Sequence, residues 1–131
     1  MNHDRTLTLL SLVSIALLAF HLTGDFALGL DKGAASPVPA IILIVWMIGT
    51  LVLGGTRWGY VIMFLSWLAG TAMPFMHMRG RGITDAIGAS TLGIFFIWGL
   101  FLVGATGSAA AILSLQGLWS LRTRKASLHT S

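Results

Sequence analysis

Two histidines and one aspartate stand where long uncharged runs of the chain come to an end. His21 and Asp25 are four residues apart, the helical spacing that brings two side chains together on one face. Imidazole and carboxylate in that arrangement suit zinc or another divalent cation. His77 closes a later uncharged run. At 1.5 Å of rise per residue it lies about 28 Å beyond Trp58, and His21 about 22 Å beyond Thr6. The reading is a metal site built from His21, Asp25 and His77, with Asp85 as a further candidate nearby. Three other readings use the same residues. Asp25 ends its helix and accepts a hydrogen bond from His21 while His77 meets lipid headgroups; or the two histidines hold the iron of a haem b between facing helices; or Asp25 and His21 couple protons to a small transporter.

A second constellation is aromatic. Trp46, Trp67 and Trp98 lie inside apolar runs and away from their ends. With Met73, and with Met76 and Thr50 close by, they predict a ligand-binding pocket for a hydrophobic or cationic molecule. The competing reading makes them core or lipid-facing rings whose indole N–H groups need partners. No catalytic residue is assigned: the chain has no Cys, no Glu, no P-loop and no nucleophile elbow. A small exporter with an embedded carboxylate would have only Asp25 to use, and Asp25 is at the edge of its run.

The elements that must hold these residues follow from the charges. Only 9% of the 131 residues are charged and 56% are apolar, against about 25% charged in soluble domains. Uncharged stretches of 19, 24, 21 and 36 residues lie between Arg5 and Asp25, Lys32 and Arg57, Arg57 and Arg79, and Asp85 and Arg122. About 20 apolar residues cross a hydrocarbon core about 30 Å thick. The expectation is one all-α domain, a four-transmembrane-helix antiparallel bundle in the lipid bilayer. Its spans are about 6–24, 38–53, 58–77 and 90–115, with a basic C-terminal tail over 122–131. The first span lacks a small-residue cleavage site and is read as retained. The net charge of +4 flanks the apolar runs, a topology signal and not a nucleic-acid surface. Counting Lys and Arg puts Arg5, Arg57, Arg122, Arg124 and Lys125 on one side and Lys32, Arg79 and Arg81 on the other. That bias places both termini in the cytoplasm.

Local patterns refine the bundle. Ser11, Ser14, Leu18, His21 and Asp25 recur at three and four residues, a polar stripe that must face the interior. Pro37 and Pro39 mark the start of the second helix, and Gly54-Gly55-Thr56-Arg57 makes a short hairpin turn. Pro74 predicts a bend, with Thr71 able to compensate. Ser66 with Gly70, Gly104 with Ser108 and Gly107 with Ala111 allow close helix approach, inside one chain or in a homodimer.

His21-Leu22-Thr23-Gly24-Asp25, the Trp46 segment before Gly49-Thr50-Leu51-Val52-Leu53, and Gly117-Leu118-Trp119-Ser120-Leu121-Arg122 resemble a loose group of short four-span bacterial inner-membrane proteins. The resemblance implies a helical bundle in the cytoplasmic membrane and carries no activity or site residue. The functional expectation is a small binding or accessory membrane protein with an outward-facing polar pocket. Haem-based electron transfer and proton-coupled transport are the alternatives.

Overall fold

The computed structural model describes residues 3–27, 37–78 and 91–128. Within them, only the backbone is described at Asp25, Ala27, Met73, Met76, His77, Met78, Thr91, Leu92 and over 124–128. These residues form four helices and no strand: α1 (His3–Ala27), α2 (Val38–Leu51), α3 (Arg57–Met78) and α4 (Thr91–Leu128). Lys32, Asp31, Arg79, Arg81 and Asp85, which set the expected charge of two loops, lie outside the described residues.

Two helices are long and apolar enough to cross a membrane, α1 over His3–Gly24 and α4 over Gly93–Thr123. The 22 residues of α3 rise about 33 Å, but the 14 of α2 rise only about 21 Å. That is short of the usual hydrocarbon thickness, so the long uncharged run preceding Arg57 becomes a shorter helix than its length allows. The fourth helix departs in the other direction. It runs unbroken through Gly104 and Gly107 and on to Leu128, so Arg122 continues a helix where the sequence suggested a tail.

The order of contacts is that of an up-and-down bundle. Helix α4 packs most extensively on α3 and then on α1, and α2 packs more lightly on α3 and α1. Facing residues give the directions. Tyr60 meets Gly117, Trp67 meets Gly107 and Pro74 meets Gly104, which makes α3 and α4 antiparallel. Trp46 with Trp67 and Gly49 with Ile62 do the same for α2 and α3. Helices α1 and α3 are parallel and diagonal, and long side chains from α3 cross the core to reach α1.

Local chemistry explains the tightest connection. Gly55 takes a left-handed φ of 74°, a conformation that costs an L side chain about 1–2 kcal/mol. Thr56 then caps α3: its hydroxyl accepts a hydrogen bond from the Gly59 N–H at 3.1 Å and donates to the Leu53 carbonyl at 2.6 Å. Gly59 has no room for a side chain because the Leu53 backbone occupies that space. Of the small residues predicted for close approach, Gly104 and Gly107 each lie against α3 of the same chain. A Cβ on Gly104 would stand 2.9 Å from the Pro74 ring, and one on Gly107 3.1 Å from Trp67.

Candidate functional site

The polar stripe of α1 faces the interior: Ser11, Ser14, Leu18 and His21 are all buried. Ser14 turns its hydroxyl back to the Leu10 carbonyl at 2.8 Å, which satisfies it without a partner helix. His21 is different in kind. Among the described side chains that carry a charge or an imidazole, it is the buried one, with 1% exposure. Its ring stacks on Phe96 of α4, centroids 4.2 Å apart and planes 24° from parallel. Phe96 can lie so close to α1 because Gly24 leaves space; a Cβ there would stand 3.2 Å from the Phe96 ring. The stack fixes the plane of the imidazole at the end of the bundle where α1 finishes and α4 begins.

The expected metal set is described in part. Asp25 lies one helical turn beyond His21 on α1, and His77 lies near the end of α3; the side chains of both lie outside the described residues. Among the described residues no group of three His, Cys, Asp or Glu could hold a metal ion. His21 therefore supplies a single candidate ligand in the described structure.

The aromatic candidates separate. Trp46 and Trp67 are buried and tilted against each other, with ring centroids 3.9 Å apart and planes at 31°. The Trp67 indole N–H donates to Ser11 Oγ at 3.4 Å, and Ser11 in turn donates to Met63 Sδ at 3.6 Å. Gly70 lies against both indoles. Trp46 Nε1 and Thr50 Oγ1, one turn apart on α2, are buried without a hydrogen-bond partner among the described residues. Trp98 stands apart from this layer, 65% exposed on the outer face of α4. The side chain of Met73 lies outside the described residues. Ser11 is ten residues before His21, about 15 Å along the helix, so the tryptophan layer and the imidazole occupy different levels of the bundle.

Two features were not foreseen. Phe96 is one; its pairing with His21 follows only once α1 and α4 are known to be antiparallel neighbours. The other is the cluster at the opposite end. Tyr60 donates its phenolic proton to Asp4 Oδ1 at 2.5 Å, and His3 Nδ1 lies 3.2 Å from the same oxygen. The Tyr60 ring fills the notch left by Gly117. No known protein family, curated protein or solved structure matches the chain.

Proposed function

We propose that the chain is an integral membrane protein with four spans and cytoplasmic termini, acting as a small binding or accessory protein at its outward end. The observation that carries this reading is the buried His21 imidazole. Burying such a group in an apolar bundle is costly, and ionisable side chains inside spans are accordingly concentrated at working sites. The bundle's dimensions support the membrane placement. From Asp4 to His21 on α1 is 17 residues, about 26 Å, and from Phe96 to Gly117 on α4 is 21 residues, about 31 Å. The two polar levels are thus about one hydrocarbon thickness apart.

The ligand class that suits this end is a divalent metal ion bound through His21 with Asp25 and His77, the residues one turn beyond it and at the end of α3. Elemental analysis of protein purified from zinc-replete cells tests it. Near-stoichiometric metal that is lost in His21→Ala and reduced in Asp25→Asn is expected. Metal-free wild-type protein overturns the metal reading, and a Soret band in its visible spectrum would transfer His21 to haem.

A further inference from the structure

The end of the bundle opposite His21 carries a positive collar of exposed arginines. Tyr60 ties three helices together there, through its hydrogen bond to Asp4 of α1 and its seat on Gly117 of α4. That tie puts Arg5, Arg57 and Arg122 at the same end of the bundle, since each lies within five residues of Asp4, Tyr60 or Gly117. Five residues of helix amount to about 8 Å. All three arginines are exposed. Asp4, the acid described at this end, is already engaged by Tyr60 and His3. Among the described residues no carboxylate lies within salt-bridge distance of any of the three guanidiniums.

Two large indoles flank the arginines. Trp58 is 70% exposed and Trp119 71% exposed, one beside Arg57 and the other one helical turn before Arg122. Exposed tryptophan beside exposed arginine is the combination that sits at headgroup level, with the ring among the upper acyl carbons and the cation in the phosphate layer. Beyond Gly117, α4 continues for eleven residues, about 16 Å of helix, and its sequence there includes Arg124 and Lys125.

We infer that this collar is a binding surface for anionic phospholipid headgroups of the cytoplasmic leaflet. The inference rests on the membrane placement proposed above and adds a lipid preference to it. Guanidinium groups pair with phosphodiester oxygens through two parallel hydrogen bonds. A zwitterionic lipid offers the same phosphate but masks it with its own cation, so charge complementarity selects phosphatidylglycerol or another net-anionic lipid over phosphatidylcholine.

The test is the thermal midpoint of the full-length protein in a neutral detergent, titrated with phosphatidylglycerol or with phosphatidylcholine. The wild type should reach half its stabilisation at a phosphatidylglycerol concentration on the order of a hundredfold lower, the effect of three basic side chains at an anionic surface. The preference should shrink stepwise in R57Q, in R122Q and in the R5Q/R57Q/R122Q variant, and should weaken with added salt. Equal responses to the two lipids, a preference retained in the triple variant, or the same rise with inorganic phosphate alone would overturn the inference. The single variants keep the test decisive if the triple variant fails to fold. Alkaline carbonate extraction of membranes separates the two layers of argument. Protein that stays in the pellet without a lipid preference rejects the collar alone, whereas release into the supernatant rejects the membrane placement itself.

Discussion

Trp67 touches every other helix. It stacks on Trp46 of α2, donates to Ser11 of α1 and lies against Gly107 of α4. Replacing it with Ala opens a cavity at the centre of the bundle and should cost about 3–5 kcal/mol, read as a lowered unfolding midpoint in detergent. Ser11→Ala is a gentler test of the same site. It leaves the buried indole N–H without its acceptor, and a loss of about 1–3 kcal/mol is expected; an unchanged midpoint would mean the long 3.4 Å contact contributes nothing. Gly117→Val puts side-chain atoms where the Tyr60 ring lies and should cost about 1–3 kcal/mol through overpacking. The same substitution should dislodge Tyr60 from Asp4, visible as a change in tyrosine fluorescence or near-ultraviolet dichroism.

Helices and their joints respond to a different chemistry. The α2–α3 turn depends on Gly55 for its left-handed backbone and on Thr56 for the cap of α3. Gly55→Ala should lower stability by about 1–2 kcal/mol, and Thr56→Ala by about 1 kcal/mol. The two should not add fully, because the turn and the cap share the Leu53 carbonyl. Helix α2 is the least embedded element, short and apolar on its outer faces, with Ile41, Ile44, Val45, Ile48 and Leu51 exposed. Its inner face carries the Trp46 indole and the Thr50 hydroxyl, which have no hydrogen-bond partner among the described residues. Thr50→Val keeps the shape and removes the hydroxyl, and should be neutral or stabilising by up to about 1 kcal/mol. A clear loss of stability would show that the hydroxyl has a partner beyond the described residues.

For the whole molecule, the absence of cysteine makes topology directly measurable, since any introduced thiol is the only one present. With the proposed orientation, Lys32→Cys should react with a membrane-impermeant maleimide in intact cells. Arg57→Cys and Ser131→Cys should react only after the membrane is opened. Labelling of Arg57→Cys in intact cells would reverse the orientation and move His21 to the cytoplasmic side. The two ends of the bundle differ in chemistry, a buried imidazole at one and exposed arginines at the other, with the tryptophan layer between them.

The all-helical class and the inward-facing stripe of α1 are both legible in the sequence, because hydrophobic length and the three-and-four spacing are local properties of a helix. The chemistry of the ends was legible only in residue type. That His21 would lie on Phe96, and Tyr60 on Gly117 with its hydroxyl on Asp4, depends on which helices are neighbours and on their relative register. Those quantities are set by how small residues on one helix accept large rings from another. The extents of α2 and α4 follow local backbone chemistry and not the uncharged runs. Absence of charge permits a helix but does not end one; the turn at Gly55 ends α2 early, while nothing in Leu118–Leu128 breaks the backbone bonds that carry α4 onward. The sequence alone determined that this chain forms apolar helices with its charges at their ends. Tertiary structure alone decided which side chains meet at those ends, His21 on Phe96 at one and Tyr60 on Asp4 and Gly117 at the other, because only the packing of α4 on α1 and α3 brings residues so distant in the chain into contact.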